Sequence, residues 1–351
     1  MSRRRSGLAA AFLLSALLLA AGIVRGEDGR QVELTADPDA RVIEEHATVM
    51  GTDVSVLIAN QDEQTARRAI DAAFEEFRRV EALMTDWRNS PFERINRQAG
   101  VAPVAVGEEI LFMIGESIRI SEMTGGAFDI TYAGAGKLWD FKKKPPELPD
   151  AEAVRRSLDL IGYSKIRIDP KAKTVFLPNK GMRIGLGGIA KGYAVDRAVE
   201  IIGRMEIENF AVNAGGDLTV RGRKEGRLWW VAIRHPRDKA RTIAFLPISN
   251  GSVVTSGDSE RFFVVDGIRY SHILDPTTGY PAHKAQSVTL IAKRAYFADA
   301  LATGVFVMGP VEGMAFIESQ PHIEGMIVDA DGDIHVSSGL QKGDSRGERT
   351  L

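Results

Sequence analysis

Asp299 and Thr303 stand four residues apart in Ala298-Asp299-Ala300-Leu301-Ala302-Thr303, within an otherwise apolar run. On a helix, that spacing sends both oxygens out from one face. A carboxylate inside so apolar an element needs a partner. A hard cation with oxygen ligands would serve, Mg²⁺ in particular, which takes one or two protein carboxylates and completes its shell with phosphate oxygens. The plainer reading is that Asp299 accepts a backbone N–H and Thr303 bonds back to its own helix. Gly185-Leu186-Gly187-Gly188-Ile189-Ala190-Lys191-Gly192-Tyr193 offers the complementary chemistry. Met182-Arg183-Ile184 reads as the end of a strand, and residues 194–205 carry apolar residues at helical spacing. The glycines then form a strand-to-helix turn, where backbone N–H groups and a helix N-terminus face an anion and Lys191 adds a full charge. The same letters fit Gly185-x-Gly187-x-x-Ala190, a dinucleotide fingerprint with residues 209–213 as the next strand. They also fit a turn whose small residues serve only close packing.

A third candidate is His272, in Ser271-His272-Ile273-Leu274-Asp275-Pro276-Thr277-Thr278-Gly279. A histidine where a strand runs into a Pro and Gly turn can act as a general base near neutral pH, or serve as a hydrogen-bonded structural residue. Thr255-Ser256-Gly257-Asp258 is a polar bend able to line a pocket. Asp329-x-Asp331-Gly332-Asp333 imitates a calcium loop, but its glycine is misplaced and its twelfth position is Leu340, so a hairpin turn is expected.

The elements that must position these groups follow from periodicity. Residues 42–58 read as a strand, a bend at Met50-Gly51-Thr52 and a second strand. Ala66, Ile70, Ala73, Phe74, Phe77, Val80 and Met84 mark one helical face, and a second helix over residues 108–123 stops at Gly125-Gly126. Beyond residue 209 the chain is mostly short strands, then an apolar helix over residues 295–308. Strict βα alternation is absent. The expected fold class is α+β, with a mixed or largely antiparallel sheet core flanked by helices.

Composition sets the outer bounds. The chain has 351 residues, of which 44% are hydrophobic and 26% charged, with a formal net charge of −2. It can bury a sizeable core, and nothing in the charge balance invites nucleic acid. There is no cysteine, which excludes disulfides, thiolate metal sites and cysteine nucleophiles. Residues 1–26 read as a signal peptide or N-terminal anchor, with a basic start at Arg3-Arg4-Arg5 and an apolar run after it; both Sec and twin-arginine export fit. Residues 27–40 read as a linker, 41–340 as the functional domain and 341–351 as a polar tail.

Taken together and in order, six motifs resemble the ApbE-type flavin transferases, which move FMN from FAD onto a threonine or serine of another protein. They are Met50-Gly51-Thr52, Gly125-Gly126-Ala127-Phe128-Asp129, the Leu186 to Tyr193 stretch, Thr255-Ser256-Gly257-Asp258, the Ser271 to Gly279 stretch and the Ala298 to Thr303 run. The resemblance implies that Met50, Trp87, Ala127, Phe128, Asp129, Lys191 and Ile273 line an FAD site. It implies Mg²⁺ at Asp299, Thr303 and a main-chain carbonyl near Gly188, with Ala302 standing where some members carry a second acidic ligand. His272 is the implied catalytic position. Gly185 departs from the family, which usually has aspartate there. The implied partners are FAD and an acceptor protein bearing a Thr or Ser. The expected location is exported and periplasmic, with membrane contact only through an uncleaved signal or the acceptor. A non-catalytic FAD-binding protein, an FAD pyrophosphatase and a nicotinamide-dependent oxidoreductase using Asp217 are the alternatives.

Overall fold

The structure is a computed structural model. It describes residues 42–341, together with a two-rung antiparallel ladder between Val24–Arg25 and Gln31–Val32. The expected signal segment, most of the expected linker, and the tail from residue 342 onward lie outside the described residues. The chain divides between residues 40 and 41, and everything below concerns the second unit.

Eight strands form the central sheet: β1 (Val42–Val49), β2 (Thr52–Ala59), β3 (Phe210–Ala214), β4 (Asp217–Arg221), β5 (Gly251–Gly257), β6 (Ala285–Ala292), β7 (Glu324–Asp329) and β8 (Ile334–Val336). Their order in space is their order in the chain, and each neighbouring pair is antiparallel. The expected α+β class with a largely antiparallel sheet is therefore what the chain adopts. A dinucleotide-binding βαβ unit needs a parallel pair around residues 209–213. Instead β3 runs antiparallel to both β2 and β4, which removes the fingerprint reading of the glycines.

An antiparallel order of this kind sends alternate connections to opposite ends of the sheet. The β1–β2, β3–β4 and β5–β6 connections emerge together at one end. Met50 and Gly51 make the first, with φ of 55° and 71° between the paired residues Val49 and Thr52. Two consecutive left-handed residues are what a tight hairpin needs to match strand twist. Gly215 and Gly216 make the second, again with positive φ.

Helices cover one face of the sheet. They are α1 (Glu63–Met84), α2 (Glu108–Met123), α3 (Ala190–Arg204) and α4 (Ala295–Met308). The apolar face of α1 read from the sequence is the face it buries, and Asp62 caps its start by accepting from the Thr65 N–H at 2.9 Å. Val54, Val56 and Ile58 of β2 join the same core. On the other face, the hairpin Trp229–His235 and Asp238–Ile248 buries Trp229, Val231, Ile233 and Ile248 against Val220, Val253 and Ile291. The sheet is thus covered on both sides.

Two local outcomes bear on the site. Residues 182–184, expected to end a strand, belong to no ladder. Their extended backbone is held by a side chain: Ile184 N–H donates to Asn96 Oδ1 at 2.8 Å, and Asn96 Nδ2 donates to the Ile184 carbonyl at 3.0 Å. An apolar extended run satisfied by an amide has the same letters as a strand. At the α3–α4 crossing, Gly192 lets two backbones touch. A Cβ there would strike the Ala295 carbonyl and lie 2.7 Å from Tyr296 Cα. Gly192→Ala is expected to cost about 3 kcal/mol, the upper end for overpacking, because backbone cannot rotate out of the way. Thermal unfolding checks this; an unchanged midpoint would mean that the two helices part freely.

Candidate active site

The turns at one end of the sheet, the N-terminus of α3, one face of α4 and the loop after α1 enclose a cleft of about 950 Å³. Met50, Trp87, Ala127, Phe128, Asp129, Lys191 and Ile273 all line it, as do His272, Gly188, Asp299 and Thr303. Ala302 does not: it is fully buried in the apolar core and brings no side-chain oxygen.

Lys191 sits in the first turn of α3 between two carboxylates. Its Nζ lies 3.1 Å from Asp217 Oδ2 and 3.2 Å from Asp299 Oδ1, and the backbone N–H of Gly192 donates to Asp299 Oδ2 at 3.1 Å. Asp217 is 1% exposed and Asp299 2%. Burial pushes the Asp217 carboxyl well above the ordinary carboxylate range, and the neighbouring Asp299 charge pushes it further. Burial opposes charge on Lys191 too, but the two carboxylates more than offset this and hold the ammonium charged. Two acids against one base leave the cluster short of positive charge. Asp217 stands behind Lys191, outside the cleft wall. Its signal in the sequence was the Gly215-Gly216 turn immediately before it, a sharp bend that aims the first residue of β4.

The cluster meets further oxygens on α4. Thr303 Oγ1 is 3.3 Å from Ser256 Oγ, and a Cβ on Gly188 would lie 3.1 Å from Thr303 Oγ1, so the bare Gly188 backbone abuts that hydroxyl. Among the described residues there is no cluster of three His, Cys, Asp or Glu able to hold a metal. The side-chain donors at this corner are one carboxylate and one hydroxyl, with the Gly188 backbone beside them. Both are hard oxygens, and they leave most of an octahedral shell to water or phosphate, which suits Mg²⁺. The residues fit the implied ion.

His272 faces this corner from the β5–β6 connection. Its segment is fixed by main-chain bonds, His272 N–H to the Arg261 carbonyl at 3.0 Å and Ala282 N–H to the Ile273 carbonyl at 2.9 Å. Against the same segment Trp139 stacks on Phe263 and Tyr270, which also stack on each other, and it donates to the Gly279 carbonyl at 3.0 Å. His272 Nδ1 is buried with no hydrogen-bond partner among the described residues. Burial, with help from Arg261 and Lys191, lowers the imidazole pKa to about 4. It is neutral at ordinary pH and has a free nitrogen lone pair.

Two other predicted residues play unlike parts. Asp129 lines the cleft, but its carboxylate accepts from Thr131 N at 2.8 Å, Thr131 Oγ1 at 2.6 Å and Tyr163 N at 2.8 Å. It ties two loops together. Trp87 is 62% exposed at the mouth, with its ring free to stack on a planar ligand. Trp87→Ala is expected to raise the KM for such a ligand about tenfold, for a stacking loss of about 1–1.5 kcal/mol, without altering the unfolding midpoint. Steady-state kinetics and thermal unfolding test this together; an unchanged KM would remove Trp87 from the site.

Fold and cleft define an α+β ligand-binding protein whose site joins a buried lysine and acid cluster, a hard-oxygen corner and an unpaired imidazole. Residues 50–336 match the ApbE family, and the chain belongs to it. An FAD:protein FMN transferase of Klebsiella pneumoniae (strain 342) is 33% identical over 86% of this chain and 93% of its own. One from Treponema pallidum (strain Nichols) is 32% identical over 78% and 80%. Among solved structures, the ApbE protein of Thermotoga maritima superposes with a TM-score of 0.80 at 35% identity, covering 86% of this chain and 99% of its own. The flavin transferase ApbE of Vibrio cholerae gives 0.75 at 31%, with the same coverage.

Proposed function

We propose that the protein transfers FMN from FAD to a threonine or serine hydroxyl of an acceptor protein, with Mg²⁺, releasing AMP. The observation that carries this reading is the meeting, in one cleft, of Asp299, Thr303, the Gly188 backbone, the Lys191 ammonium and the His272 imidazole. The names of the relatives supply the substrate class. Lys191 binds diphosphate oxygens, while Trp87 and Met50 close over a ring. The His272 imidazole takes the proton of the acceptor hydroxyl. The hydroxyl oxygen forms a bond to the FMN phosphorus, the bond from that phosphorus to the bridging oxygen breaks, and AMP leaves with the electron pair. Mg²⁺ held by Asp299, Thr303 and the Gly188 carbonyl would screen the diphosphate and polarise the phosphorus.

The basic and apolar start of the sequence supports export to the periplasm, and an acceptor that is exported or membrane-bound. Among the described residues no helix is long and apolar enough to cross a membrane. The test is incubation of purified protein with FAD, Mg²⁺ and candidate acceptors, followed by denaturing electrophoresis and mass measurement. A fluorescent acceptor carrying one FMN is the expected product. FAD bound without labelling of authentic acceptors would indicate a binding protein, and FMN and AMP released without acceptor would indicate a pyrophosphatase.

A further inference from the structure

Gly185 has no backbone reason to be glycine. Its φ is not in the left-handed region, and its N–H makes an ordinary bond to the Ile130 carbonyl at 2.8 Å. What it lacks is room. A Cβ there would lie 3.1 Å from Ala133 Cβ, 3.3 Å from Asp86 Oδ2 and 3.6 Å from Tyr132 Oη. The space beside residue 185 is thus filled by a carboxylate delivered from the loop after α1. Asp86 lines the cleft, and among the described residues no lysine or arginine forms a salt bridge with it. Arg183 turns one guanidinium nitrogen elsewhere: it donates to Glu93 at 2.9 Å and to the Asp86 main-chain carbonyl at 3.2 Å. Burial raises the Asp86 carboxyl above its usual range. Burial and then Asp86 itself push the Tyr132 phenol up to about 12, so Tyr132 stays a neutral hydroxyl.

These groups mark a path along the cleft wall. A Cβ at residue 185 would meet Asp86 and Tyr132, one at residue 187 would meet Tyr132 again, and one at residue 188 would meet Thr303. Between these points the chain bends, with the Ile189 and Ala190 N–H groups both donating to the Leu186 carbonyl, at 3.1 Å and 2.8 Å. Asp86 and Thr303 line the same cleft, so a ligand with its diphosphate at the Thr303 end and its remainder along this wall would bring a sugar or ring to Asp86. An acceptor-only carboxylate in a sheltered wall selects a ligand donor there, a hydroxyl or a ring N–H.

We propose that Asp86 is a nucleotide-binding residue of this chain, accepting a hydrogen bond from a hydroxyl or ring N–H of FAD, and that Gly185 is kept bare to seat it. The inference rests on the FAD reading above. It makes positions 86 and 185 a coupled pair, in which the carboxylate comes from one wall segment or the other but not both.

FAD binding to the full chain, followed by flavin fluorescence in EDTA so that no turnover intrudes, tests the pair. Asp86→Asn keeps the volume and should weaken FAD binding about tenfold or more, the effect of losing a charged hydrogen bond, with an unchanged unfolding midpoint. Gly185→Asp alone should also weaken binding, through crowding and like charge. Asp86→Ala combined with Gly185→Asp should recover most of the affinity lost in Asp86→Ala. Parallel titrations with FMN and ADP locate the donor: a loss confined to FMN puts it on the flavin half, one confined to ADP on the adenosine half, and either supports the proposal. Equal affinity of Asp86→Asn and the unaltered protein for all three ligands overturns it. Failure of the unaltered protein to bind FAD would instead overturn the functional reading beneath it.

Discussion

His272→Ala is expected to lower kcat/KM for FMN transfer by about 10²–10⁴-fold, the usual contribution of a positioned general base, while FAD affinity stays within about twofold. The separation of effects follows from the position of the ring. Its Nδ1 has no partner to lose, and its segment is fixed by main-chain bonds and the Trp139 stack rather than by the imidazole. The pH profile adds a signature. With its pKa lowered to about 4, His272 is deprotonated and competent as a base throughout the neutral range. The acid limb of kcat/KM, which reports the free protein, should fall near pH 4 rather than near the ordinary histidine value. Once diphosphate is bound, its negative charge favours the imidazolium, so the acid limb of kcat should lie at higher pH than that of kcat/KM. Transfer unchanged in His272→Ala, or an acid limb that survives the substitution, would assign the proton to another group.

Asp299→Asn should abolish Mg²⁺-dependent transfer, a loss of about 10³-fold or more, as expected when a ligand of a charge-stabilising ion is removed. Asparagine is chosen because it keeps an acceptor for the Gly192 N–H and leaves Lys191 paired with Asp217. The unfolding midpoint should hold or rise, since one of two close buried acids has lost its charge. The direct readout is thermal protection by Mg²⁺ with ADP, present in the unaltered protein and absent in the variant. Retention of that protection would falsify the assignment of Asp299 as the metal ligand.

Much of this architecture is legible in the sequence because it is written locally. The face of α1, the helix carrying Asp299 and Thr303, the two-residue turn at Met50 and the hairpin at Asp329 each follow from spacing within one element. Asp329 accepts from the N–H groups of Asp331, Gly332 and Asp333, so it closes a turn as read. What was not legible depends on partners far apart in the chain. Residues 182–184 looked like a strand because nothing in their own letters shows that Asn96 binds their backbone. Asp217 looked like an acid for another cofactor because its pairing with Lys191 appears only when β4 lies beside α3. Gly185 stood out against the family pattern, but the group filling its space, Asp86, lies 99 positions earlier and is identified only by contact. The carboxylate of Asp129 was assigned to the cleft by position, whereas its donors come from Thr131 and Tyr163.

The in-order sheet has a bearing on how the protein can change. Strand side chains alternate faces with a period of two, so one residue added to the Gly215-Gly216 turn would rotate Asp217 to the hairpin-covered face and leave Lys191 with a single acid. The opposite end tolerates more. There the link between β4 and the Trp229 hairpin is a surface turn closed by the Lys224 and Arg227 bridge, away from the cleft wall. Extra length inserted at that link should alter neither strand register nor the cleft, whereas the near end is held to the residue.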